Sequence, residues 1–143
     1  MRIYVVGLLF DNMRSKITLI EKKHGPPCVI GKWNGVGGHV EKEEGPLDAM
    51  IREFKEETGV LFRHWNELCS LVGEEHIVFF YYGEDTSVQE RVKTTEDEQI
   101  VVFDIGNLPD NIIENVDWMI RFLVDPFIDH GTLGELKTSR IDT

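Results

Sequence analysis

Cysteine is nearly absent from this chain: Cys28 and Cys69 are the only two in 143 residues. They sit in no metal-like spacing, which excludes a disulfide framework or a zinc ribbon and suits a reducing, cytoplasmic setting with both as thiols. Long apolar runs are missing as well. The segment Ile3 to Phe10 is too short to span a bilayer, meets Asp11 at once and has no small-residue cleavage site, so neither a membrane span nor a signal peptide is expected. Positive charge is scarce, with 15 Lys and Arg against 26 Asp and Glu and a net charge of −11. Nucleic acid is therefore excluded as a partner, because polyanion binding needs clustered cations. Small anions stay open where a metal ion bridges protein carboxylates to phosphates. No repeat or low-complexity stretch interrupts the chain, and 41% apolar residues predict one soluble globular domain over residues 1–143 with its own core.

What the chain has in abundance is acid between residues 38 and 60. Glu53, Glu56 and Glu57 fall at i, i+3 and i+4, so on a helix three carboxylates share one side within a turn. Like charges packed that closely repel. Hard divalent ions such as Mg2+ or Mn2+ relieve the repulsion and take oxygen ligands from carboxylates and phosphates alike. The helix is marked at both ends: Pro46 suits its first turn, Asp48 adds negative charge there, and Gly59 stands at the C-cap position. Leu47, Met50, Ile51 and Phe54 follow i, i+3, i+4, i+7 and predict an apolar stripe packed on a core. At roughly 100° per residue the acidic group is centred about 110° from that stripe, on the helix flank and at the edge of a cleft. Arg52 precedes Glu56 by four residues and can hold its carboxylate while leaving oxygens for a metal. A solvated acidic face is the ordinary alternative for such a charge run.

Elsewhere, Arg2 to Phe10 and Lys16 to Glu21 read as strands joined by the polar turn Asp11 to Ser15, a hairpin. Residues 24 to 32 form a loop containing Gly25, Pro26, Pro27 and Gly31. The stretch Trp33-Asn34-Gly35-Val36-Gly37-Gly38 follows, its glycines freeing the backbone to approach a ligand closely. Beyond the acidic helix, Leu61 to Val72 is mixed in pattern, while Glu75 to Tyr82 and Gln99 to Ile105 read as strands. Leu108-Pro109 breaks the second of these. Asn111 to Val124, with Ile113, Val116, Ile120 and Leu123 at helical spacing, predicts a second helix. The polar tail Gly131 to Thr143 forms either a short extra strand or a frayed end. Strands, helix, strands and a closing helix make an α/β sandwich around a mixed sheet.

The acidic segment resembles, at every fixed position, the box of the Nudix hydrolases: glycine, five residues, glutamate, seven residues, then Arg-Glu-apolar-x-Glu-Glu-x-Gly-apolar. Gly38, Glu44, Arg52, Glu53, Phe54, Glu56, Glu57, Gly59 and Val60 fill it, and a chance match in this composition is on the order of one in a million. The run Gly31 to Val40 is further similar to the one before the box in the MutT-like branch that sanitises nucleotide pools. The resemblance implies a Nudix fold, an α/β/α sandwich around a mixed β-sheet. It also implies Mg2+- or Mn2+-dependent hydrolysis of a small-molecule nucleoside polyphosphate, with a nucleoside triphosphate such as 8-oxo-dGTP giving the monophosphate and pyrophosphate.

By the same resemblance Glu53, Glu56, Glu57 and the Gly37 carbonyl hold the metal, with Glu44 supporting them from the loop. Glu98 is the expected site glutamate outside the box, as general base and metal contact, with Glu96 and Asp97 as neighbours in sequence and Glu56 or Glu57 as alternative bases. Lys22 or Lys23 would touch phosphate, Asn34 would read the base, and Asn115, with Asn111 as rival, would contact a purine. Relatives carry acids where this chain has Glu114 and Asn115, which leaves specificity for an oxidised purine open. The same chemistry on a dinucleoside polyphosphate, a nucleotide sugar or ADP-ribose is the alternative. A non-catalytic nucleotide-sensing module is a third reading, against which the intact Glu53, Glu56 and Glu57 speak. A homodimer is compatible with all three.

Overall fold

A strand apolar on both faces belongs at the centre of a sheet covered on both sides, and β1 (Arg2–Phe10) has that place. In the computed structural model, which describes residues 1–128 and 133–137, β1 pairs in parallel with β6 (His76–Glu84) along its whole length. Its other edge is shared: β4 (Val36–His39) pairs antiparallel with Tyr4 to Gly7, and β2 (Lys16–Glu21) with Leu9 and Phe10. β3 (Trp33–Asn34) lies on Ile20 and Glu21 of β2, so the chain crosses from β2 to β1 at Gly35. β7 (Ile100–Asp104) pairs with β2, β5 (Asn66–Val72) with β6, and β8 (Gly134–Lys137) in parallel with β5, giving a mixed sheet.

Alternation along β1 sends its side chains into two cores. Val6, Leu8 and Phe10 pack with Val116, Met119, Ile120 and Leu123 of α3 (Glu114–Val124), while Val5 and Leu9 pack with Met50 and Phe54 of α1 (Pro46–Thr58). Burying each such side chain stabilises the fold by about 1.5–3 kcal/mol. Helix, sheet and helix thus form the expected α/β/α sandwich. The hairpin and the bounds of α1 fall where the sequence put them. Leu61 to Val72 resolves into an irregular approach and β5.

Two features depart from the sequence reading. The second helix begins at Glu114, because Asn111 to Ile113 run extended beside Trp33: the Trp33 N–H donates to the Asn111 carbonyl (3.0 Å) and the Ile113 N–H to the Trp33 carbonyl (2.9 Å). A short helix α2 (Thr86–Arg91) was not anticipated. Asp85 caps it by accepting from the Val88 N–H (2.9 Å), and the buried Gln89 amide donates to the Leu9 and Lys16 carbonyls where the β1–β2 hairpin closes. Part of the polar tail is strand β8; residues 131, 132 and 138–143 of it lie outside the described residues. Among the described residues no helix is long and apolar enough to cross a membrane.

Candidate active site

Helix α1 is fixed at both ends before it presents any chemistry. Pro46 occupies its first turn after Gly45, and Gly59 ends it in the left-handed region (φ 79°), its N–H donating to the Lys55 carbonyl at 2.8 Å. With Met50 and Phe54 buried, Arg52, Glu53, Glu56 and Glu57 come out along the flank that faces β4. The approach there is close. A Cβ on Gly38 would lie 2.6 Å from the Glu53 carboxyl carbon, and one on Gly37 would overlap the Val5 carbonyl. Gly37 is therefore required for β4 to lie against β1, and a side chain at residue 38 would push the Glu53 carboxylate out of place.

Arg52 organises the acids. Its Nε and Nη2 make a two-pronged contact with the Glu44 carboxylate (2.8 and 2.9 Å), Nη1 donates to Glu53 (2.9 Å) and Glu56 (3.2 Å), and Nη2 also donates to the His39 carbonyl (2.9 Å). One guanidinium thus ties α1 to the loop before it and to β4. The carboxylates answer differently. The Arg52 hydrogen bonds hold Glu44 below the usual glutamate range against the opposing effect of burial. Glu53 is raised, chiefly by burial, with Arg52 opposing and the charges of Glu56 and Glu96 adding to the rise. Glu57 is pushed up to about 7 by burial and by the neighbouring charges of Glu96 and Glu98, with Lys22 pulling it down.

Glu98 sits just before β7 and is 6% exposed. Its carboxylate accepts from the Lys22 ammonium (3.0 Å) and from the backbone N–H groups of Lys23 (2.7 Å) and His24 (3.1 Å). Burial alone would raise its pKa, yet these donors outweigh it and hold the carboxyl below its ordinary value. Asp97 instead meets the exposed His24 ring at 2.6 Å. The side chain of Lys23 belongs to an exposed residue, whereas Lys22 is half-buried.

Lys22, Asn34, Gly37 and Gly38 line a single cleft of about 1080 Å³. The Asn34 Oδ1 accepts from the Gly35 N–H (2.8 Å). Asn115, in the first turn of α3, is half-buried and is not among the residues lining this cleft. The Asn111 side chain donates to the Gly31 carbonyl and, like Asn115, does not cap α3, whose N-cap is Ile113. Also lining the cleft are three rings that sequence reading did not single out: Tyr4, His39 and His76. Tyr4 and His39 face each other across the β1–β4 pairing with centroids 4.4 Å apart, and His76 meets Tyr4 edge-on at 6.0 Å, its Nε2 buried without a partner. Only the register of three strands brings them together, and no local signal in the sequence carries that register.

The donor set suits a hard divalent cation, since Glu53, Glu56, Glu57 and the Gly37 carbonyl offer oxygen alone. Among the described residues, however, no three acidic, histidine or cysteine side chains are gathered as a ready metal shell. Burial, with the charges of the neighbouring acids adding to it, raises Glu53 and Glu57, and a cation held between them would favour their charged forms.

The acidic flank of α1 reaches the cleft through Gly37 and Gly38, and Glu53, Glu56, Glu57 and Glu98 are not among the residues that line it. The family model for the NUDIX domain matches residues 1–123, and the chain belongs to that family. It is a Nudix hydrolase, of the kind that acts on pyrophosphate bonds, and such hydrolases generally use a divalent metal and small-molecule nucleotide substrates. Solved structures share the fold. A MutT Nudix hydrolase from Burkholderia pseudomallei is 20% identical with a TM-score of 0.70, covering 84% of this chain and 95% of its own. MutT studied from Aliivibrio salmonicida and Vibrio cholerae is 22% identical, TM-score 0.67, over 86% and 96%. A Nudix-family hydrolase from Clostridium perfringens is 25% identical, TM-score 0.65, over 89% and 98%.

Proposed function

We propose that this chain acts in the cytoplasm, as one domain over residues 1–143, as a Mg2+-dependent pyrophosphohydrolase of a nucleoside triphosphate, 8-oxo-dGTP or another dNTP among the candidates. The observation that carries the reading is the carboxylate cluster of Glu44, Glu53 and Glu56, held by Arg52 beside Glu57 and set against the Gly37–Gly38 pair at the cleft. Glu53, Glu56, Glu57 and the Gly37 carbonyl would hold the metal, which when bound supplies a polarised phosphoryl group and a water of lowered pKa. The chain's own groups do the rest. Arg52 keeps the acids from splaying apart, and Lys22 places a cation on the cleft wall where a phosphate needs one. Asn34, its oxygen taken by Gly35, keeps its amide NH2 as the donor for a base edge. Water attacks phosphorus in line, its proton passes to a carboxylate of the site, and the bridging oxygen leaves with pyrophosphate.

A second reading has its own support. Tyr4, His39 and His76 extend the same cleft beyond the glycine pair, and aromatic faces suit a ring on the far side of a diphosphate. That favours a nucleoside diphosphate joined to a second ring-bearing group, such as a nucleotide sugar or dinucleoside polyphosphate. Incubating the protein and Mg2+ with a nucleotide panel separates the two: pyrophosphate with monophosphate is the outcome for the first, two phosphorylated fragments for the second. No turnover of any nucleotide with metal bound contradicts both.

A further inference from the structure

The three donors that Glu98 accepts from all come from the segment leaving β2. That segment is closed at its neck, where the Lys22 N–H donates to the Lys32 carbonyl (2.8 Å) and the Gly31 N–H to the Lys22 carbonyl (2.7 Å), so residues 22–32 form a loop rooted on Lys22. From this loop Lys22, His24, Gly25, Pro26 and Val29 line the cleft. Glu98 is thus a buried anion that holds both the root of one cleft wall and the ammonium on that wall. We propose that Glu98 is a positioning residue that fixes Lys22 and the 22–32 loop for the phosphates, and that the proton of the attacking water goes to another group.

The geometry argues this in two ways. A general base needs a lone pair aimed at the water it deprotonates. Oε2 of Glu98 spends both of its lone pairs on the Lys23 and His24 N–H groups, and Oε1 gives one of its two to the Lys22 ammonium, so the loop takes three of about four acceptor positions and the last lies on the oxygen that already holds that cation. An ammonium, in contrast, has three N–H donors and uses only one on Glu98, so Lys22 can turn the others to a phosphate without leaving its partner. Removing Glu98 would strand a part-buried cation and release the loop neck together, weakening the hold on the polyphosphate. The inference rests on the proposed hydrolysis for what Lys22 meets, while the Glu98 contacts stand on their own.

Two variants separate positioning from base catalysis. Glu98→Gln keeps an oxygen for the two backbone N–H groups but loses the ionic partner of Lys22; Lys22→Met removes the other side of the same contact. With Mg2+ and the nucleotide turned over by the wild type, each should raise KM about tenfold, the loss expected for one charge-assisted hydrogen bond, with kcat within about threefold. The acid limb of the pH–rate profile should not move. The double variant should be no worse than either single one, because both act through one contact. A kcat for Glu98→Gln lower by about a hundredfold with KM unmoved, as loss of a base gives, or full additivity with Lys22→Met, would overturn the proposal. Should the wild type hydrolyse nothing in the panel, the functional reading fails by itself, and calorimetric titration with Mg2+-pyrophosphate still tests the pair. Equal weakening of about tenfold in both variants supports positioning; unequal or absent weakening refutes it.

Discussion

Replacing Glu57 by glutamine should destroy activity and yet make the metal-free protein more stable. An ordinary glutamate titrates near 4.5, and Glu57 is pushed up to about 7, first by burial and then by Glu96 and Glu98. The folded chain therefore binds this proton more tightly than the unfolded one. The stability it contributes is whole below about pH 4.5 and is lost as the pH rises through about 7. Fully desolvated, a displacement of that size would amount to about 3 kcal/mol at pH 8; for a half-buried group solvent screening reduces it to about 1–2 kcal/mol. Glutamine carries no charge and escapes the loss. In EDTA at pH 8, Glu57→Gln should melt about 3–6 °C above the wild type, and at pH 4 the two should coincide. With Mg2+ its turnover should fall about a hundredfold or more, because a carboxylate proposed to hold the metal is gone. Thermal denaturation at the two pH values and a pyrophosphate-release assay decide the matter. A variant less stable than the wild type at pH 8, or one that keeps near-full turnover, refutes the reasoning.

Other substitutions address the frame around the acids. Gly38→Ala puts a methyl against the Glu53 carboxylate; circular dichroism should report a folded protein, while kcat falls about tenfold or more as that carboxylate is displaced. Arg52→Lys keeps the charge but cannot reproduce the two-pronged grip on Glu44 or reach Glu53, Glu56 and the His39 carbonyl together. Urea denaturation should give a loss of about 1–3 kcal/mol. Because Glu53 and Glu57 are both raised, metal must displace protons at lower pH. Calorimetry should show Mg2+ binding tighter from pH 6 to 8 with proton release below about pH 7, and affinity independent of pH in that range would contradict the raised carboxyls.

Much of this was legible in the chain because it is local. Pro46, the apolar stripe and Gly59 specify α1 within fourteen residues, with Met50 and Phe54 buried as expected and Leu47 left exposed in the first turn, and helix geometry sets where its acids project. The close approach of residue 38 to the Glu53 carboxylate follows once α1 packs on β4. What was not legible depends on long-range register. Lys22 and Glu98 are 76 positions apart, and the ion pair that joins the expected phosphate contact to the expected site glutamate cannot be seen by reading either residue singly. Asn111 has a helix-start composition, yet pairing of Asn111 to Ile113 beside Trp33 overrides it and delays α3. Helix α2 is only six residues, polar and dependent on the Asp85 cap, too short for periodicity to reveal.

Metal-dependent cleavage of a phosphoanhydride bond by the α1 carboxylates is tested by incubating the 143-residue chain with nucleoside triphosphates in 18O-labelled water, with and without Mg2+, and resolving the products by mass. The account predicts a monophosphate and pyrophosphate, one labelled oxygen on one of the two, only with Mg2+ and not with Glu57→Gln. Release of orthophosphate, or no product from any nucleotide while Mg2+ is bound, would contradict it.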